Sequence, residues 1–285
     1  MDRFSKFHPL AGFSFFMFEI IITLLYINPV FAVCSLICAF IYCLILKGGE
    51  AAGILFKAVL PLVLFAGVFN MLFCRYGSMV LFFVKEISFT AEPLIYGLCT
   101  GAMLGAVIFW FLSYSAVIDS EKFTALFGKI APGLSLLFLM VLRFVPLMRQ
   151  LAKEIFEAQK GLGNETGGIK NTVKRFSALV SVSLEKSIET ADAMRSLGYA
   201  GGKRRHYSRF SLKASDIIAL VFFAVSFAAL IVLKVLGAFE FVYSDGIGIE
   251  SFSLPALIIF IVFSLFPTAV DLKEEIKWIF LRSKI

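Results

Sequence analysis

Charge is scarce in this 285-residue chain: only 16% of its residues are Asp, Glu, Lys or Arg, where a soluble domain carries about a quarter. Histidine is scarcer still, with only His8 and His206, far apart. The five cysteines, Cys34, Cys38, Cys43, Cys74 and Cys99, form no C-x-x-C pair, and four of them lie inside apolar runs. A disulfide framework, a zinc site and any metal centre built from His and Cys are therefore not expected. No G-x-x-x-x-G-K-[ST] loop exists to cradle a nucleotide's phosphates. No nucleophile–base pair and no pair of pocket carboxylates appears either. The sequence reads as a non-enzyme that needs no cofactor.

What the chain does have is apolar length. Sixty per cent of its residues are hydrophobic, 34 are Phe, and mean hydropathy is +0.91. Six runs approach the ~20 residues a helix needs to cross about 30 Å of hydrocarbon: 10–27, 29–46, 54–73, 93–118, 214–236 and 254–271. The first two, separated by Asn28-Pro29, only just span. No small-residue cleavage site follows the first run, so no cleavable signal peptide is expected. The expected fold is all-α, a polytopic helical membrane protein with about six spans and a helical insert. Residues 1–118 supply four spans, 119–213 the insert, and 214–285 a transmembrane hairpin with an interfacial tail.

Charge placement orients it. Residues 119–213 hold sixteen of the 27 Lys and Arg against eight acids, and the tail adds Lys273, Lys277, Arg282 and Lys284. The segments 74–92 and 237–253 hold Arg75 and Lys85 against five acids, Glu86, Glu92, Glu240, Asp245 and Glu250. The positive-inside rule puts the insert and both termini in the cytoplasm. The net charge of +7 is then a topology signal, and no nucleic-acid partner is needed to explain it. The basic run Lys203-Arg204-Arg205-His206 serves the same orientation and suits anionic headgroups.

Several local features carry expectations. Glu19 lies inside the first span, where ionisation costs about 2.5–3.5 kcal/mol on insertion scales. A carboxyl satisfied within the bundle is the expected reading, with a proton or ion site as the alternative. Gly97, Gly101 and Gly105 make a small-residue stripe suited either to packing within the chain or to docking a second membrane protein. The stretch 79–84 followed by Ser88-Phe89-Thr90 suits a short hairpin. In the insert, 119–131 reads as a short amphipathic helix. A helix over 134–162 follows, apolar at first, kinked at Pro146, then amphipathic through Met148, Leu151, Ile155, Ala158 and Leu162. A turn at 163–170 leads to a helix over 171–197 with the apolar stripe Phe176, Val180, Leu184, Ile188, Ala191 and Met194.

These two long helices end almost alike. Residues 158–163 read A-Q-K-G-L-G and residues 193–198 read A-M-R-S-L-G. Each end is narrow, with exposed last carbonyls, a cation (Lys160, Arg195) suited to the negative helix terminus, and a leucine (Leu162, Leu197) as an apolar anchor. Gly163 and Gly198 stand where a helix cap belongs. One such end is an ordinary cap; two, 35 residues apart on the charged side, suggest docking of a soluble partner.

The order of several short segments resembles the transmembrane T component of energy-coupling factor importers, the group that includes the cobalt-transport Q components. The resemblance rests on His8-Pro9, Asn28-Pro29, the stretch from Glu92 to Gly97, Pro132 through Leu136 and Arg143-Phe144-Val145-Pro146. It continues in Ala158-Gln159, Ala193-Met194 and Gly198-Tyr199. It implies a subunit of the prokaryotic plasma membrane that binds neither ATP nor cargo. Two ABC-type ATPase subunits would receive the helix ends, and the long helices would cradle a substrate-binding S component for vitamin or transition-metal uptake. The implied ATPase-coupling residues are Ala158, Gln159, Lys160, Gly161, Leu162, Gly163, Ala193, Met194, Arg195, Ser196, Leu197, Gly198 and Tyr199. The sequence departs from the family pattern where Leu162 and Leu197 replace arginine, and Gly161 and Ser196 replace alanine. Lys160 and Arg195 are then expected to supply attraction while the leucines pack apolarly. The rival reading is a stand-alone secondary transporter, which would need substrate groups near the bilayer midplane.

Overall fold

The computed structural model describes residues 4–74, 80–84, 87–127, 132–161, 168–199, 212–237, 241–242, 248–249 and 253–282. A 3-10 turn, Phe4–Lys6, precedes helix α1 (Pro9–Leu25). His8 starts α1: its Nδ1 accepts the Leu10 N–H at 3.2 Å, with Pro9 in the first turn, where a missing N–H does no harm. Helix α2 (Pro29–Lys47) repeats the device, Asn28 Oδ1 accepting the Val30 N–H at 3.0 Å. The next helix is one path in three parts: α3 (Gly49–Ile54), a π-helical turn (Leu55–Val59) and α4 (Leu60–Phe73). The wide turn has a cause in Pro61, which offers no N–H to the Lys57 carbonyl one turn back.

Strands β1 (Val80–Val84) and β2 (Ile87–Thr90) pair antiparallel, as the sequence pattern suggests. Then come α5 (Ala91–Val117), α6 (Ser120–Phe127), α7 (Pro132–Gly161), α8 (Ile169–Ser196) and α9 (Ala214–Val235). A small antiparallel pair, β3 (Phe241–Val242) with β4 (Gly248–Ile249), leads to α10 (Leu254–Arg282). The span expected at 254–271 and the interfacial tail expected after it form one helix, α10, with Pro267 inside. The end of the short helix expected over 119–131, and the basic run at 203–206, fall outside the described residues.

The protein is a helical, multi-pass membrane protein. Among the described residues, six helices are long and apolar enough to span: Pro29–Lys47, Gly49–Phe73, Ala91–Val117, Gly133–Gly161, Ala214–Val235 and Leu254–Lys273. The number matches the expectation, but one member differs. The run at 10–27 yields a helix of 17 residues, about 26 Å at 1.5 Å per residue, because Asn28-Pro29 starts a new helix. Helix α7 joins the set because Pro146 does not divide it, so its apolar first half extends without a break into the amphipathic second half.

The chain divides into two compact units, one formed by Met1–Ser120 with Phe210–Ile285 and the other by Glu121–Arg209. In the first, α5 packs against α4 and α2, α1 against α9 and α5, and α10 against α2 and α9. Aromatic rings fill the centre. Phe15 meets Phe4, Phe16, Trp110, Phe223 and Phe263 at centroid separations of 5.2–5.8 Å, within the range where edge-to-face contact is favourable. Phe4 is pinned by its backbone N–H, which donates to Asp271 Oδ1 at 2.9 Å.

The glycine stripe on α5 is used inside the chain. A Cβ at Gly97 would lie 2.5 Å from the Ala66 carbonyl oxygen, and one at Gly101 would lie 2.8 Å from the Val63 Cα. At Gly105 it would meet Val59 Cγ1 at 2.6 Å. The stripe brings the backbones of α5 and the preceding helix together, which is how helices pack where lipid removes the hydrophobic drive. Of the two readings the sequence allows, internal packing is the one observed.

Candidate functional site

The second unit is built around α7 and α8. The Arg175 Nε donates to Gln159 Oε1 at 3.0 Å, and the Ser183 hydroxyl lies 2.9 Å from Met148 Sδ. Partner numbers fall on α7 as they rise on α8, so the two helices run antiparallel. Of the amphipathic stripe expected on α7, Met148, Leu151 and Ile155 are half-buried here and Ala158 is exposed. The Arg175 guanidinium also sits over the Phe156 ring, 4.5 Å from its centroid, a favourable cation–π placement. Phe156, Gln159 and Arg175 thus form a clasp near the end of α7. Sequence reading does not find it, because periodicity within one helix says nothing about pairing across 16 residues.

The apolar stripe of α8 does the unexpected thing. Phe176 is 66% exposed and Ile188 65% exposed, with Val180 and Leu184 exposed between them. Of the stripe only Met194, at its end, is half-buried; the half-buried side chains along the middle of α8 are Arg175, Ala178, Leu179, Val182, Ser183 and Lys186 instead. At 100° per residue these lie roughly opposite the Phe176–Ile188 stripe. Helix α8 therefore turns its mixed face to α7 and leaves its apolar face uncovered. The first half of α7 is uncovered as well, with Leu134, Leu137, Leu139 and Val141 exposed. Hydrocarbon suits that half, which is nearly free of charge. It does not suit α8, which carries eight charged residues among its 28.

The two helix ends differ in detail. On α7, Ala158, Lys160 and Gly161 are exposed, while Gln159 is half-buried in the clasp. Leu162 and Gly163 lie outside the described residues. The end of α8 is described in full. Gly198 has φ +75° and donates its N–H to Arg195 O at 3.0 Å; the Tyr199 N–H reaches Met194 O at 3.0 Å. The Leu197 N–H and the Ser196 hydroxyl both donate to Ala193 O, at 3.1 and 2.8 Å. This is a complete left-handed cap with both of its defining bonds. Only glycine takes that φ without strain.

The cap corrects one expectation. The last carbonyls of α8 are not left open: those of Ala193, Met194 and Arg195 are all bonded. What the tip presents is side chain. Leu197 is 80% exposed, and Tyr199 is exposed beside it. Arg195 lies 4.0 Å from Asp192, both well exposed, an arrangement that contributes little in water.

The antiparallel pairing separates the tips. Gln159, near the end of α7, sits beside Arg175, and α8 continues from there to Ser196, about 30 Å at 1.5 Å per residue. The structure therefore places the described tip residues, 158–161 and 193–199, at two separate helix ends. Among the described residues, no group of three or more His, Cys, Asp or Glu side chains is placed to hold a metal ion. No protein-family model matches the chain, and no curated protein matches it.

Proposed function

We propose that this chain is the membrane-embedded coupling subunit of an energy-coupling factor importer, the T component. One observation carries the reading: two long antiparallel helices end in separate exposed tips, about 30 Å apart along α8, and carry apolar faces that the unit itself leaves uncovered. Two tips suit two ATPase subunits, one for each. The uncovered faces of α7 and α8 suit a membrane-embedded S component. The unit that carries the tips faces the cytoplasm on this reading, as the positive-inside rule has it.

The mechanism follows from rigidity. Nucleotide binding draws the two ATPases together, and each tip moves with the groove that holds it. Leu197 enters such a groove as an apolar anchor, and the glycine cap keeps the helix end narrow. Because α7 and α8 are joined by the Phe156–Arg175–Gln159 clasp, displacement of one tip is passed to the other helix. The S component, resting on their apolar faces, is tilted and releases vitamin or metal ion inward. This chain contributes neither substrate groups nor phosphate contacts.

The test is functional isolation. Purified alone and placed in liposomes, the chain should bind no vitamin, hydrolyse no ATP and move no solute. With two ATPases and an S component added, ATP should drive uptake. Transport by the chain alone would make it a secondary carrier and sink the proposal.

A further inference from the structure

Glu19 is a fully buried acid whose contacts point to a chemical state. It lies on α1 with 0% exposure. Its Oε1 accepts the Ser264 hydroxyl of α10 at 2.6 Å, and its Oε2 is buried with no hydrogen-bond partner. No cation among the described residues forms an ion pair with it. Phe15, Phe16 and Ile22 flank it on α1, and Phe260 and Phe263 flank Ser264 on α10, all buried.

A full negative charge in that place would be answered by one hydroxyl alone. An uncharged carboxylic acid is a better fit, because it buries no charge. The polar groups one turn along α1 are neutral too. The Thr23 and Ser35 hydroxyls are bonded at 2.9 Å, and Trp110 Nε1 donates to Ser35 at 3.2 Å. These bonds tie α1 to α2 and α5, as Glu19–Ser264 ties α1 to α10.

We propose that Glu19 is held as the uncharged acid and serves with Ser264 as a hydrogen-bonded strut between α1 and α10, a fixed point of the bundle and not a carrier of ions. Position 19 then demands shape and hydrogen bonding, not charge. Without the strut, α1 and α10 lose the polar contact that sets their rotation against each other.

Infrared spectroscopy of the full chain in lipid nanodiscs at neutral pH tests this directly. The expected result is a carboxylic-acid carbonyl stretch that Glu19→Gln removes and Ser264→Ala shifts to higher frequency. Carboxylate stretches, in place of the acid band, in the wild-type minus Glu19→Gln difference would overturn it. Thermal melting of the same samples adds a second arm. Glu19→Gln should melt with the wild type and Glu19→Ala earlier; Gln melting as early as Ala would count against the strut. Neither readout uses ATPases or cargo, so failure here leaves the coupling proposal standing.

Discussion

The two compact units use the same residue types in opposite ways. In the bundle, Phe15, Phe16, Trp110, Phe223 and Phe263 turn inward and meet one another. In the α7–α8 pair, Phe176, Leu184, Ile188 and Leu197 turn outward. Lipid explains exposed rings on a bundle helix such as α4, which itself carries no charged residue. It explains them less well on α8, where charged residues crowd both ends of the apolar stretch 176–184. On the proposed reading, the bundle needs only lipid around it, whereas the pair receives a partner on its apolar face. That reading places the working surface on α7 and α8, and stability in the bundle.

Truncation should separate the two regions most widely. Trp110→Ala opens a cavity in the ring cluster and should cost about 3–5 kcal/mol, read as a large fall in melting temperature in detergent. Phe176→Ala on the uncovered face should change the stability of the isolated chain by under about 0.5 kcal/mol. Equal effects would erase the distinction. Gly101→Leu forces a side chain onto the Val63 backbone and should cost about 3 kcal/mol through overpacking. Little change in melting would mean that the α4–α5 contact is looser than described. At the α8 tip, Gly198→Val places a β-branched residue at a φ of +75°. A cost of about 1–2 kcal/mol should fall on the last turn alone, seen as faster amide exchange at 193–199 with the bundle unchanged. The smallest effect belongs to charge. Lys160→Ala with Arg195→Ala should weaken ATPase binding by less than about 1 kcal/mol. The loss should be clearest at low salt, where exposed charges are least screened.

Much of this was legible in local sequence signals. His8-Pro9 and Asn28-Pro29 mark helix starts because Pro tolerates the first turn and the preceding side chain accepts a free N–H. Gly198 marks a left-handed cap for an equally local reason. The hairpin of β1 and β2 follows from a β-prone stretch between two helices. What stayed hidden depends on partners distant in sequence. Periodicity reveals that α8 has an apolar face; it does not say that the opposite face meets α7. The glycines of α5 announce a close approach, and only the fold shows that the partner is the chain's own preceding helix. Ser264 answers Glu19 from 245 residues away, which no spacing rule reaches. At the tips, the repeated small–Leu–Gly end is visible in sequence, but the closure of the last carbonyls is a matter of cap geometry. That closure shifts weight from backbone and charge to Leu197.

The most direct test of coupling is therefore quantitative co-purification of the two ATPase subunits with the full chain, wild type against Leu197→Asp. The substitution changes an exposed side chain and should leave the helical content and melting of the chain unaltered. On the present account, Leu197→Asp loses most of the bound ATPase and ATP-driven uptake falls with it. If the ATPases stay bound in full and uptake is unchanged, the α8 tip is not a coupling element.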